Sequence, residues 1–171
     1  MYCRSSQSVN KTISRTLLDQ TVNSTWAGFD QNILETLRRQ GCAICSIGTY
    51  LNKTASQLIS LGYCIPTSQE VQSWGSFNTI RTGNFYDLMA KQILWYNKPV
   101  IVFVPGKGTY PTHYVVANHI KGIIECDPDG IPLCTNIRPD VIKILDPYHR
   151  NCKSLAELEN LYGTTQNIRY I

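Results

Sequence analysis

An α+β fold, with helices first and an antiparallel sheet after them, is what this 171-residue sequence predicts. Three observations carry that reading. Between residues 26 and 97, apolar residues recur at helical spacing in segments bounded by Asp, Thr or Ser at one end and Gly at the other. After Pro99 the pattern changes to short β-branched runs separated by turn residues. A hydrophobic content of 43% over this length suits one domain able to bury its own core.

The elements follow in order. Residues 1–25 are polar, rich in Ser, Thr and Asn, and only weakly periodic; they read as an extension lying on the domain, with a short helix near Ile13–Leu18. The domain itself spans 26–171. "DQNILETLRRQ" (30–40) sets Ile33, Leu34 and Leu37 on one helical face with Asp30 as N-cap, and Gly41 ends it. "CAICSIGTYLN" (42–52) reads as a second, buried helix of small and apolar residues. Helices are expected at "TASQLISLGY" (54–63), "TSQEVQSWGS" (67–76) and "FYDLMAKQILWYN" (85–97). "VIVFV" (100–104) has the composition of a buried strand. "THYVVANHI" (112–120) and "GIIEC" (122–126) read as a hairpin, and "DPDGIPLCTNIRPD" (127–140) as an inserted loop. "VIKIL" (141–145) is a strand, "SLAELENLYG" (154–163) a helix and "NIRYI" (167–171) a closing strand.

Composition narrows the function. The net charge of +4 is mild and its basic residues are scattered apart from Arg38-Arg39, so the basic stripe of a nucleic-acid binder is absent. No apolar run reaches the roughly 18 residues a membrane span needs. Residues 1–16 lack the apolar core of a signal peptide, which leaves an intracellular chain, export by another route, or a mature form. Seven cysteines without an evident signal favour a secreted, cell-surface or virion-associated setting over the cytoplasm. Cys126 and Cys134 flank one turn, where an oxidising compartment would allow a bridge.

Cys42 and Cys45 form a CxxC pair that admits several chemistries. A thioredoxin-type couple follows a strand, whereas a helix precedes Cys42. A zinc site needs a second ligand pair, and Cys3, Cys64, Cys126, Cys134 and Cys152 supply none; no metal is expected. Two small buried thiols, or a nucleophile beside a structural neighbour, remain. A nucleophile needs a base and a setting that favours the thiolate. Cys42 follows Gly41 at the first helical turn, where free N–H groups and the dipole favour an anion; Cys45 lies a turn deeper.

The base must be one of three histidines. His113 opens an apolar strand beside the flexible loop "PGKGTYPT" and is well placed to face a cleft. His119 lies six residues on, an even offset that would put it on the same sheet face, but roughly 20 Å along the strand. His149 sits in the loop "DPYHRN" and is expected to be exposed. Asp146, at the end of "VIKIL", is the acid best placed to orient an imidazole. Trp26, Trp74, Trp95 and Tyr110 are candidates for a cleft wall, although large aromatics more often fill cores.

Taken together, "GCAICSIGTYLN", "KPVIVFVP…THYVVANHI" and "VIKILDPYHRN" resemble the papain-fold cysteine peptidases of the double-glycine, bacteriocin-processing type and their wider relatives, over roughly residues 26–171. The resemblance implies a papain-like fold, with a helical lobe carrying the nucleophile packed on an antiparallel β-sheet. It makes Cys42 the nucleophile, His113 the general base and Asp146 the residue that orients it, with Cys45 at a small structural position. Two departures stand out. Ala43-Ile44 replaces the family's Gly-Pro, and Thr36 occupies the place of its oxyanion glutamine, leaving Gln40 and Gln31 as candidates, with Gln40 nearer in sequence.

The activity implied is peptide-bond hydrolysis through a thioester, without metal or organic cofactor. The substrate would be a peptide or a cell-wall peptide, the latter suiting an exported or phage-borne peptidase or amidase within a larger assembly. The departures also accommodate a catalytically silent peptide- or glycan-binding module of the same fold.

Overall fold

The computed structural model of the chain describes residues 5–149 and 151–171; Cys3 lies outside them. The centre of the fold is one long strand, β4 (His113–Cys126). Two strands run end to end along one of its edges. β3 (Val100–Val104) pairs with the first part, Val104 opposite His113 and Val100 opposite Ala117. β1 (Ser5–Thr12) pairs with the second, Thr12 opposite His119 and Ser5 opposite Cys126. β5 (Ile142–Leu145) takes the other edge, opposite Val116 to Ile120. β6 (Asn167–Tyr170) joins β3, and the short β2 (Asn78–Ile80) joins β6, all antiparallel.

The two-residue period of the strands splits the core into two clusters. Val100, Val102 and Val104 join Met89 and Ile93 of α4 (Phe85–Leu94) and Leu155 and Leu158 of α5 (Leu155–Tyr162). Ile101 and Val116 join Ile44 and Ile47 of α2 (Cys42–Leu51), Leu58 of α3 (Ala55–Ser60) and Leu37 of α1 (Leu34–Gln40). The fold is therefore α+β with an antiparallel sheet, and helices cover both of its faces. Each fully buried Ile or Leu in these clusters contributes about 1.5–3 kcal/mol over its exposed state.

The helix starts are chemically specified. Thr54 and Gln57 form a capping box at α3, Asn84 accepts from the Asp87 N–H at α4, and Ser154 accepts from the Glu157 N–H at α5. Asp30 caps by accepting from the Asn32 N–H, opening the 3-10 turn Gln31–Ile33 that leads into α1.

Several segments differ from the sequence reading, each for a physical reason. Residues 13–18 form no helix, because partners elsewhere take up their backbone. The Ile13 N–H donates to the Asn118 carbonyl, the Leu18 N–H to Thr49 Oγ1, and the Asn118 side chain returns a bond to the Ile13 carbonyl. The polar segment before them contributes β1 to the sheet. Residues 67–76 form turns instead of a helix; Ser68 and Ser73 accept from the Glu70 and Gly75 N–H groups, the local alternative that serine offers to helical bonding. The expected hairpin at 112–126 is one continuous strand. Gly122 is not a turn: a Cβ there would lie 2.5 Å from Val141 Cγ1, so glycine admits the segment packed across it. Lastly, a register shift between Ala117 and His119 cancels the even offset between His113 and His119.

Candidate active site

The α1–α2 junction creates the first feature of the site. α1 stops at Gln40, Gly41 adopts φ −83° and ψ 16°, and a new helix starts at Cys42. Only glycine fits between the helices, since a Cβ would come within 2.4 Å of two Trp26 ring carbons and 2.5 Å of the Leu37 carbonyl. The break gives Cys42 a first helical turn of its own, with N–H groups directed out of the helix start.

The first residue of β4 and the residue after β5 meet there. His113 Nε2 donates to Asp146 Oδ1 at 2.8 Å, and both residues are buried. A carboxylate only accepts, so Nε2 carries a ring proton, and Cys42 is the second side chain whose hydrogen bond and charge act on His113. Asp146 Oδ1 also accepts from the Tyr148 and His149 N–H groups at 2.9 and 3.0 Å, which ties the carboxylate to the turn that follows β5. Burial presses the His113 pKa down, but the hydrogen bonds to Asp146 and Cys42 and their charges outweigh it and raise the imidazole to about 9. Cys45 contrasts with this. It is fully buried, and burial first, then Cys42 and Asp19, pushes its thiol well above its ordinary value.

Cys42 and His113 open onto a cleft of about 930 Å³. One wall is the irregular 69–74 segment, ending in Trp74, whose ring carries the Arg169 guanidinium 4.0 Å from its centroid. The other is formed by Tyr110, Tyr148, His149 and Tyr162. No protein-family model, curated protein or solved structure matches the chain.

Each residue singled out in the sequence has a definite place. Cys42, His113 and Asp146 come together from α2, β4 and the end of β5. His119 stands apart, its Nε2 2.6 Å from Asn10 Oδ1 of β1. His149 is half-buried, not exposed, and lines the cleft. Trp74 and Tyr110 line the cleft, whereas Trp26 is core and Trp95 lies exposed with its indole N–H on the Pro132 carbonyl. Cys126 and Cys134 are buried free thiols, like the other described cysteines. Among the described residues, no cluster of three or more His, Cys, Asp or Glu could hold a metal ion, and no helix is long and apolar enough to cross a membrane.

The glutamines separate by environment. Gln31 donates its amide to the Phe29 and Trp26 carbonyls. Gln40 is exposed and lines the cleft beside Cys42. A third, Gln20, escaped the sequence reading because it lies in the weakly patterned N-terminal segment. It is buried, its side-chain amide donates to the Arg38 carbonyl at 3.0 Å, its own N–H donates to the Pro147 carbonyl, and its carbonyl accepts the Trp26 indole N–H. Gln20 thus links the Asp146 turn to the residues leading into Cys42. Tyr162, stacked on His113, was also missed; the sequence reading placed it only within the helix at 154–163.

Proposed function

We propose that this chain is a papain-like cysteine hydrolase that cleaves a peptide or cell-wall peptide through a Cys42–His113–Asp146 triad. The observation that carries the reading is the buried 2.8 Å bond between His113 and Asp146, with Cys42 as the second partner of the same imidazole at the start of a helix. A buried Asp–His pair that ends on a cysteine facing a cleft is an arrangement for nucleophilic catalysis.

The chemistry follows from that order. His113 takes the Cys42 proton, Asp146 holds the Nε2–H and stabilises the imidazolium, and the thiolate attacks the carbonyl carbon. The tetrahedral oxyanion turns toward the Cys42 N–H and a glutamine amide. Gln40 has access to the cleft; Gln20 has the preorganisation, since its backbone is fixed on both sides. His113 then protonates the leaving amine, and water hydrolyses the thioester.

The test is the alkylation rate of Cys42 against pH, resolved by peptide mass spectrometry, in the parent and in His113→Ala. Fast reaction well below pH 8 that disappears without His113 supports the hydrolase. Equal, slow reaction in both proteins overturns it, and turns attention to a peptide- or glycan-binding module of the same fold.

A further inference from the structure

His113 is held from a third direction that the triad chemistry does not require. The Tyr162 ring, from the last turn of α5, stacks on the imidazole with centroids 4.8 Å apart and planes 19° from parallel. Tyr162 is itself buried at 3% exposure, and its hydroxyl lies 2.6 Å from His149 Nε2. Burial, followed by the charges of Asp146 and Cys42, raises the Tyr162 hydroxyl above its ordinary value, while burial lowers His149. The Tyr162 hydroxyl and His149 Nε2 share one hydrogen bond, donated by whichever of the two atoms carries the proton. The His149 backbone N–H meanwhile donates to Asp146 Oδ1. The contacts form a ring: Asp146 holds His113 and the backbone of His149, His149 holds Tyr162, and Tyr162 covers His113.

We infer that Tyr162 and His149 are positioning residues for the general base, a closed aromatic cover that fixes the plane of the His113 imidazole and keeps water from its bond to Asp146. The inference rests on the proposed triad but reads a different property. The Nε2–H···Oδ1 bond is shared with a buried carboxylate, and solvent reaching it would compete for both partners. A side chain present only to fill the core would give the same volume without a hydroxyl matched to His149. Tyr110 packs edge-on against Tyr162 with centroids 5.0 Å apart and continues the cover to the cleft surface. The ionisable groups around the pair are Cys42, Asp146, Tyr110, Tyr148 and His113.

The experiment is proton NMR of the His113 ring N–H in the full chain, with its solvent exchange rate, in the parent, Tyr162→Leu, Tyr162→Phe, His149→Leu and the Tyr162→Phe/His149→Leu double variant. The parent should show a downfield, slowly exchanging ring proton. Tyr162→Leu should accelerate its exchange by tenfold or more, on the order of one hydrogen bond's and one ring stack's loss combined. Tyr162→Phe and His149→Leu should each accelerate it about threefold, and the double variant no more than either, since one bond links them. Additive effects of the two single changes, or unchanged exchange in a folded Tyr162→Leu protein, would overturn the cover. Should Tyr162→Leu fail to fold, the Phe and Leu single variants decide alone. A parent with no such proton and no fast Cys42 alkylation overturns the triad itself, a distinct failure.

Discussion

The first and second turns of α2 carry the same side chain and hold it in opposite conditions. Cys42, on the first turn, lines the cleft and shares His113 with Asp146. Cys45, three residues on, is fully buried beside Trp26, Leu37 and Ile47, and its hydroxyl-bearing neighbour Thr49 bonds the Cys45 carbonyl, not its thiol. One helical turn rotates the second thiol from the cleft into the core. The two thiols of the pair therefore meet different surroundings. The spacing that looks like a motif arises because a helix start and its first buried position lie that far apart, and what distinguishes the thiols is what β4 and β5 place opposite one of them.

The largest effect that could break this contrast is Cys42→Ala. Hydrolysis of a responsive peptide should fall by roughly 10⁶, the scale at which loss of a covalent nucleophile is felt. Thermal unfolding should shift only by what one small buried sulfur contributes, about 1 kcal/mol. Activity retained in that protein would make Cys42 a bystander.

Asp146→Asn comes next. Removing the carboxylate charge while keeping its shape should lower kcat by about 10²–10⁴, through loss of the imidazolium's partner and of the fixed tautomer. It also has a pH signature. His113 is raised from 6.5 to about 9 in the folded chain, so the stability gained from its protonated form is whole below about 6.5 and is lost as pH climbs through 9. Urea midpoints of the parent should decline across that window. In Asp146→Asn the alkaline limit of activity and the decline should both move toward 6.5; an unchanged profile would remove Asp146 from the site.

The oxyanion donor sharpens the same first turn. Gln20→Ala and Gln40→Ala should divide, one lowering kcat by about 10²–10³ and the other changing it less than tenfold. A fall with Gln20→Ala would assign the role to the buried, preorganised amide, and a fall with Gln40→Ala to the exposed one. Loss of neither leaves the Cys42 N–H as the working donor.

Much of this site is legible in the linear chain, and the limits of that legibility are physical. Cys42 after a helix-ending glycine, His113 at a strand mouth and Asp146 at a strand end are each marked by a boundary, and boundaries carry composition signals. Most helices and strands from 30 onward follow from periodicity for the same reason. Gln20 carries no such mark. Its meaning comes from the Arg38 and Pro147 carbonyls, distant in sequence and joined to it only by tertiary packing. β1 is equally hidden, because an exposed edge strand of Ser, Asn, Gln and Lys has no apolar face to alternate. The turns at 67–76 mislead in the opposite sense, since serines that resemble caps bond their own neighbourhood instead of opening a helix.

The smallest expected effect is on the second turn. Cys45→Ala removes one buried sulfur from a cluster that includes Trp26 and Leu37, and should cost about 1–2 kcal/mol of stability through lost contacts. Its effect on kcat should stay within about twofold, because no atom of Cys45 reaches the cleft and Thr49 bonds only its backbone. Urea unfolding read beside peptide turnover separates the two terms. Were Cys45→Ala to abolish turnover at full folding while Cys42→Ala spared it, the two turns would exchange roles: the buried thiol would be the reactive one, and His113 would have to reach past the first turn to serve it.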